Sequence, residues 1–279
     1  MSDADRLLRA WRTDLGSWAI PQQILDQAPA APWRTEHAVF VRRAADRRLT
    51  PRGTSYRRAR EALPEGGTVL DVGAGAGAAS LPLIDRAATI VAVDQDGELL
   101  RALIEQAGAD ATKVRTVVGA WPAAATDVAK ADVVVCHHVL YNVADLRPFI
   151  DALASHARRR VVIEITAAHP VARLNPLWLR FHGLTRPERP TWKDAAAAIE
   201  AFVDGVHVER ERLAADGAAG GWDELVALTA RRLCLGPERR AEVAAALAEL
   251  LGASPDDPST WSAPNREVAT IWWDPASSG

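Results

Sequence analysis

One stretch of this sequence constrains its fold more than any other. Residues 69–77 read VLDVGAGAG, so an acidic residue lies near the end of an apolar run and glycines follow at alternate positions. Glycine lets a backbone turn sharply and approach a ligand closely, and a helix that starts after such a turn presents free N–H groups. A tight turn without a ligand requires fewer glycines. The pattern predicts a strand, a ligand-binding turn and a helix.

Two nucleotide ligands compete for this turn. The dinucleotide fingerprint is G-x-G-x-x-G, but Gly73, Gly75 and Gly77 are followed by Ala78 where that fingerprint needs glycine. Asp71 would repel a pyrophosphate, whereas it suits a ligand with a positively charged amino group. The turn therefore favours a nucleoside with a cationic tail over NAD.

A second apolar run, residues 89–94, ends in Asp94. A carboxylate at that point can accept hydrogen bonds from both hydroxyls of a ribose. Together the two segments resemble class I S-adenosylmethionine (SAM)-dependent methyltransferases, whose first motif, E/D-x-G-x-G-x-G, is matched by Asp71, Gly73, Gly75 and Gly77. The resemblance implies SAM as cofactor and S-adenosylhomocysteine as product, with no metal.

Short β-branched runs alternate with helical stretches from residue 68 onward, which is typical of a buried parallel sheet covered by helices. Strands are predicted at residues 68–71, 89–94, 114–118, 132–136, 160–165, 206–213 and 267–273. The fold class is therefore α/β. The resemblance implies a Rossmann-like sheet of seven strands in the order 3-2-1-4-5-7-6, the last antiparallel.

The chain divides into two predicted parts. Residues 1–62 read as an N-terminal helical cap or lid, because apolar residues recur at helical spacing and prolines interrupt them. Residues 63–279 read as the SAM-binding core, with helical insertions near 167–190 and 214–252.

The resemblance also assigns the cofactor contacts. After the third strand the sequence GAWP lacks the acid that the family often uses for adenine, so a backbone amide of Ala120 and the ring of Trp121 are expected to take its place. Trp121 as an ordinary core residue is an equal alternative. The predicted cofactor-binding residues are Asp71, Gly73, Ala74, Gly75, Gly77, Asp94, Gln95, Gly119, Ala120, Trp121, Cys136 and His137.

The segment after the fourth strand, CHHVLYN, resembles the family motif beside the methyl group. His137, His138 and Tyr141 are the candidate catalytic residues, since a protonated acceptor needs a base. Adjacent residues on a strand point to opposite sides, so one histidine should face the pocket while the other packs. A hydrogen-bonded structural imidazole is the alternative for either, and the spacing does not suit zinc.

The resemblance implies that the acceptor site is built by two less regular segments, residues 11–56 and 169–190. Asn142, Glu164, Trp178, Arg180 and His182 are the predicted substrate-binding residues, an aromatic and basic set that suits a flat or anionic molecule. The alternative for Trp178 is a packing helix. Eight arginines between residues 42 and 60 read as solvated helix faces, although Arg57 or Arg58 could contact the cofactor carboxylate.

Composition narrows the class of partner. The formal net charge of −3 and the pI near 6.2 give no attraction to nucleic acid or to anionic membranes. The two cysteines are too few for a disulfide framework, and the sequence shows neither a signal peptide nor an 18-residue apolar run. A cytoplasmic protein, monomeric or homodimeric, is expected.

These features predict a SAM-dependent enzyme that methylates an oxygen or nitrogen atom of a small molecule. The alternatives are a catalytically inactive SAM-binding protein, an RNA or protein methyltransferase, and a nucleotide-dependent oxidoreductase.

Overall fold

The computed structural model describes residues 2–33, 37–213, 221–257, 260–261 and 266–276. Part of the predicted insertion, residues 214–220, and residues 34–36 of the predicted cap lie outside these ranges. None of the helices in the described ranges is both long and apolar enough to cross a membrane.

A sheet of seven strands forms the middle layer. The strands are β1 (Gly67–Val72), β2 (Ala87–Asp94), β3 (Val114–Val118), β4 (Ala131–His137), β5 (Ala157–Thr166), β6 (His207–Leu213) and β7 (Arg266–Trp273). Their order is β3-β2-β1-β4-β5-β7-β6, and β7 runs antiparallel to both of its neighbours. The predicted α/β fold class, strand order and antiparallel last strand are confirmed.

Helices cover both faces of the sheet. They are α1 (Asp3–Gly16), α2 (Gln22–Leu25), α3 (His37–Leu49), α4 (Thr54–Ala62), α5 (Gly97–Ala107), α6 (Leu146–His156), α7 (Asn175–His182), α8 (Trp192–Glu200), α9 (Trp222–Arg232) and α10 (Arg240–Leu251). One face packs against α1, α6 and α8, and the other against α4 and α5. Because the central strands are covered on both sides, they are almost continuously apolar.

The helix expected after the glycine turn is absent. Residues 73–80 form turns, and a single 3-10 turn, Leu81–Leu83, leads towards β2. This short connection contains three glycines with positive φ and a proline in its 3-10 turn, all of which disfavour an α-helix. Helix α3 contributes to the covering layer there, since its Ala44 packs with Ala76 and Leu99.

A second, smaller core lies beside the sheet. It joins Ile20, near the N-terminus, to apolar residues of α7, α9 and α10. Segments that the sequence analysis treated as a cap and as two separate insertions thus share one apolar cluster. Helix α4, by contrast, packs directly on the sheet although it lies within residues 1–62.

The strand order places a crevice at one edge of the sheet. From β1 the chain proceeds to β2 and β3 on one side, whereas β4 and β5 lie on the other. The carboxyl ends of β1 and β4 are therefore neighbours, but the chain leaves them towards opposite sides of the sheet. Ligands of open α/β sheets bind at such a point, which is called a topological switch point.

The close packing behind the glycine turn can be tested with two alanine substitutions. At Gly77, φ is +92° and an added Cβ would lie 2.8 Å from atoms of Leu81 and Leu103, whereas at Gly66, φ is +69° and no atom lies within 4 Å. We expect Gly77→Ala to lower the free energy of unfolding by about 3 kcal/mol, because overpacking adds to backbone strain. Gly66→Ala should lower it by about 1 kcal/mol from strain alone. Equal losses in urea unfolding would contradict the close approach.

Candidate functional site

A cavity of about 380 Å³ opens at the switch point. Its walls come from the turn after β1, the carboxyl ends of β2, β4 and β5, and helices α3 and α4. The predicted site residues that line it are Gly73, Ala74, Gly75, Asp94, Gln95, Gly119, Trp121, His137, His138, Asn142 and Glu164. The structure thus brings most of the predicted cofactor residues and both histidines to one place.

The glycine turn is fixed to the neighbouring strands on two sides. The N–H groups of Gly73 and Ala74 donate to the carbonyl of Val93 over 2.9 and 3.1 Å. Gly73 has φ of +71°, and an added Cβ would lie only 2.3 Å from Cγ2 of Val139. Only glycine fits there, because the backbone of the turn passes directly against the segment that follows β4.

Asp94 connects the turn to the second strand. Its Oδ2 accepts a hydrogen bond from the Gly75 N–H over 2.7 Å, and its Oδ1 accepts from the Asp96 N–H over 2.9 Å. Each carboxylate oxygen has a second lone pair, so both can still accept a hydrogen bond from a ligand hydroxyl. The geometry suits a vicinal pair of hydroxyls.

Trp121 forms part of the wall on the β3 side. Its indole N–H donates to the Phe149 carbonyl over 3.3 Å, and its ring meets that of His156 edge-on. Gly119 also lines the cavity, whereas Ala120 is exposed and does not. The ring of Trp121 therefore has both a packing role and a surface towards the cavity.

The two histidines do not point in opposite directions as a regular strand would require. Strand β4 ends at His137, and His138 has φ of +60°, in the left-handed region. This change of backbone direction brings both side chains to the cavity wall, with ring centroids 6.4 Å apart. A left-handed residue other than glycine is uncommon and marks a position held by its surroundings.

Glu164 is the buried charge of the site, with only 1% of its surface exposed. Its Oε1 lies 3.0 Å from Nε2 of His138, and its Oε2 accepts the Ser55 hydroxyl over 2.6 Å. Burial alone would raise the pKa of Glu164, but the hydrogen bonds from His138 and Ser55 hold it well below its ordinary value. Glu164 is therefore an ionised acceptor.

Both histidines are neutral as a result of their surroundings. Burial lowers the pKa of His137 to about 4 and lowers that of His138 as well. Arg266, whose Nη2 lies 3.1 Å from Nε2 of His138, adds a positive charge that opposes protonation. Because an ionised carboxylate can only accept, the contact with Glu164 assigns the proton to Nε2 of His138; Arg266 then acts on this nitrogen through its charge and not as a hydrogen-bond donor to it. Nδ1 has no hydrogen-bond partner among the described residues.

Four predicted cofactor residues do not line the cavity: Asp71, Gly77, Ala120 and Cys136. Asp71 is completely buried, and among the described residues neither of its oxygens nor the Ser80 hydroxyl makes a hydrogen bond of normal geometry, although Ser80 is close enough to oppose part of the rise in the pKa of Asp71. Burial, reinforced by the charge of Asp94, raises the pKa of Asp71 to about 7. Cys136 is also fully buried, and its pKa is raised well above the ordinary thiol value by burial and by Asp71.

Tyr141, a predicted catalytic residue, faces the protein interior. Its hydroxyl donates to the Thr166 carbonyl over 2.9 Å, and its ring stacks on Trp11 at 6.0 Å. Burial raises its pKa, so the phenol remains protonated. In this arrangement Tyr141 anchors the segment after β4 and helix α1 to the end of β5.

The three predicted substrate residues of α7 are also away from the cavity. Trp178 is buried in the smaller core, Arg180 pairs on the surface with Glu249 over 2.7 Å, and His182 contacts the Leu233 carbonyl through Nε2 over 2.7 Å. The structure gives them contacts within the helical cluster. It therefore favours the packing alternative for Trp178.

The individual residues of the wall formed by α3 and α4 were not predicted from the sequence, although residues 11–56 were expected to help build the acceptor site. Phe40, Arg43 and Arg47 line the cavity from one helix, and Ser55 and Tyr56 line it from the next. The spacing of the first three residues, at i, i+3 and i+7, places them on one helix face and was the available signal.

Arg57 and Arg58 do not reach the cavity. Arg57 donates to the Thr54 hydroxyl, and Arg58 pairs with Glu209 and Glu61. Arg52, in the loop between α3 and α4, lines the cavity in their place. Within the described ranges, no group of three or more histidine, cysteine or acidic side chains is arranged to hold a metal ion.

The buried carboxyl group of Asp71 leads to a prediction about pH. The unfolded chain releases this proton near pH 4, whereas the folded protein keeps it until about pH 7. Between these values the unfolded state binds fewer protons, so stability falls as pH rises, by about 1.4 kcal/mol per unit. We expect Asp71→Asn to lack this decline. Its free energy of unfolding, measured with urea, should therefore rise relative to that of the wild type between pH 4.5 and pH 8. The exposed Asp204→Asn control should retain the wild-type profile, and the same profile in Asp71→Asn would contradict the raised pKa.

Comparisons with known proteins agree with this architecture. A family model described as a methyltransferase domain matches residues 41–196, which is more than half of the chain. None of the curated protein sequences compared with the chain matches it.

Two solved structures are similar in fold. A cyclopropane-fatty-acyl-phospholipid synthase-like protein from Lactobacillus casei has 16% sequence identity and a TM-score of 0.53, over 90% of this chain and 98% of that chain. The YcgJ protein from Bacillus subtilis has 16% identity and a TM-score of 0.50, over 81% of this chain and 98% of that chain. With the family match, the strand order and the glycine turn, these findings show that the chain belongs to the class I SAM-dependent methyltransferase family.

Proposed function

We propose that this protein transfers the methyl group of SAM to an oxygen or nitrogen atom of a small molecule and releases S-adenosylhomocysteine. The observation that carries the proposal is the single cavity that extends from the glycine turn and Asp94 to His138 and Glu164. Its volume of about 380 Å³ lies within the range of small-molecule sites.

The residues of the cavity fit the cofactor. The two oxygens of Asp94 have free lone pairs for the ribose hydroxyls, and an added Cβ at Gly75 would meet only Phe40 at 3.9 Å, so the turn is open on that side. Trp121 offers a flat surface for the adenine. When bound, SAM supplies a methyl group on a sulfonium, which any aligned nucleophile can attack.

The chain's own contribution is to position the acceptor and to accept its proton. His138 is the better candidate base, because Glu164 fixes its orientation through Nε2 while Nδ1 has no hydrogen-bond partner among the described residues. The proton of an acceptor O–H or N–H would pass to Nδ1 as the new bond to carbon forms; Nδ1 is buried in the free protein, so the bound acceptor must first gain access to it. Glu164 stabilises the resulting imidazolium, and Ser55 holds Glu164. His137 is neutral and lies beside the same space.

The cofactor assignment is tested by calorimetry with S-adenosylhomocysteine. Asp94→Ala should weaken binding by about 1.5–3 kcal/mol, the value of a charge-assisted hydrogen bond, or roughly 10- to 150-fold. Asp132→Ala is the matched control, since Asp132 also accepts a backbone N–H, that of Thr68, but at the opposite edge of the sheet. Equal affinity in Asp94→Ala and wild type would remove Asp94 from the site.

The base is tested by S-adenosylhomocysteine release from SAM in the presence of a small-metabolite extract. We expect His138→Ala to reduce turnover by about 10²-fold or more with little change in cofactor affinity. His137→Ala, the adjacent control, should have a smaller effect. The reverse order would assign the base to His137, and cofactor binding without turnover by the wild type would identify a non-catalytic SAM-binding protein.

A further inference from the structure

The loop after β4, residues 138–143, lies between the glycine turn and the candidate base. His138 is its first residue, and Val139, Asn142 and Val143 also line the cavity. At the beginning of the loop, Val139 packs against the glycine turn. The course of this loop therefore determines the shape of the cavity on both the cofactor side and the acceptor side.

Helix α1 holds the far end of the loop. The indole N–H of Trp11 donates to the Val143 carbonyl over 2.8 Å, and the ring of Trp11 stacks on that of Tyr141 at 6.0 Å. Because Trp11 is only 1% exposed, its N–H would lose its partner in a buried place if the loop moved away. Arg12 also pairs with Asp145, just beyond the loop, but both side chains are largely exposed and such a pair contributes little.

The loop is thus anchored at three points. The His138 N–H donates to the Glu164 carbonyl over 2.7 Å at its start, the Tyr141 hydroxyl donates to the Thr166 carbonyl over 2.9 Å in its middle, and Trp11 holds its end. A loop that is already held in place loses little conformational freedom when a ligand binds against it. The three anchors therefore prepare the loop for binding.

Trp11 can act on a ligand only through this loop. Neither Trp11 nor Tyr141 belongs to the cavity wall that the described residues form. The first part of the chain thus contributes to the site in two ways: helices α3 and α4 line the cavity directly, and α1 supports a loop that lines it.

We infer that Trp11 is a positioning residue, whose hydrogen bond to the Val143 carbonyl holds the loop after β4 in the conformation that binds the cofactor. The inference rests on the proposed function, because it takes the cavity to be the SAM site. Without this bond the end of the loop gains freedom of movement, and binding of the cofactor must then restrict it. The cofactor binds more weakly as a result.

Trp18 offers a matched control for Trp11. It is also buried, with 3% of its surface exposed; its indole N–H donates to the Arg189 carbonyl over 2.6 Å, and its ring stacks on that of His169 at 4.0 Å. Neither Arg189 nor His169 borders the cavity within the described ranges. Trp11→Phe and Trp18→Phe therefore remove the same kind of hydrogen bond and keep an aromatic ring, but only the first releases a loop of the cavity.

The test uses the whole 279-residue chain and measures S-adenosylhomocysteine affinity by calorimetry and stability by urea unfolding. We expect Trp11→Phe to weaken binding about tenfold, whereas Trp18→Phe should stay within about twofold of wild type. Both variants should lower the midpoint of urea unfolding by similar amounts, since each leaves a carbonyl without its indole donor. A merely structural role of Trp11 would not produce a loss of affinity in only one of the two variants.

Tyr141→Phe is a second variant, and it decides the matter if Trp11→Phe folds poorly. It removes only the hydroxyl that donates to the Thr166 carbonyl, so it loosens the same loop from another side. We expect it to weaken S-adenosylhomocysteine binding by about threefold or more.

Three results would overturn the inference: a folded Trp11→Phe variant keeps the affinity of wild type, Tyr141→Phe keeps it, or Trp18→Phe loses as much affinity as Trp11→Phe. Failure of the wild type to bind S-adenosylhomocysteine at all would instead count against the proposed function.

Discussion

The buried charge of Glu164 is the constraint on which the site depends. An ionised carboxylate without access to water is strongly destabilising unless hydrogen bonds replace the lost hydration. Here Ser55 and His138 provide them, one from α4 and the other from the end of β4. Strand β5 lies between β4 and β7, and its Glu164 is paired with His137 on one side and with Thr270 on the other. The hydrogen bonds that the buried carboxylate requires therefore fix α4 and the ends of these three strands relative to one another. Stability and the geometry of the cavity thus have a common cause.

The conformation of His138 follows from two contacts at its backbone. Its N–H donates to the Glu164 carbonyl over 2.7 Å, so pairing with β5 continues beyond the last residue of β4. The next residue, Val139, must then pack directly against Gly73. His138, which lies between these two contacts, has a left-handed conformation that changes the direction of the chain within a single residue. The same turn aims the imidazole at Glu164, which is why a strained conformation is retained at this position.

How far the sequence could predict these features depended on whether the signal was local. The strands were predictable because a strand buried on both faces must be apolar throughout, and the Asp94 side chain because it ends such a strand. The helix after the glycine turn was predicted wrongly, although the glycines and the proline that disfavour it are local. That α3 covers this part of the sheet could not be predicted, because the packing of α3 against Ala76 joins residues far apart in sequence. The same holds for Tyr141, whose partner Thr166 belongs to another strand, and for Arg43 and Arg47, whose helix reads as solvated until its neighbours are known.

The two edges of the sheet differ in how completely their polar groups are satisfied. At the edge away from the cavity, Asp132 accepts from the backbone and hydroxyl of Thr68, and Arg160 forms a double hydrogen bond with Asp274. At the cavity edge, the Asp71 carboxyl group and one nitrogen of each of His137 and His138 are buried with no hydrogen bond of normal geometry to any described residue. Polar groups left unsatisfied in the free protein are those to which a ligand can add hydrogen bonds or charge without first breaking existing ones.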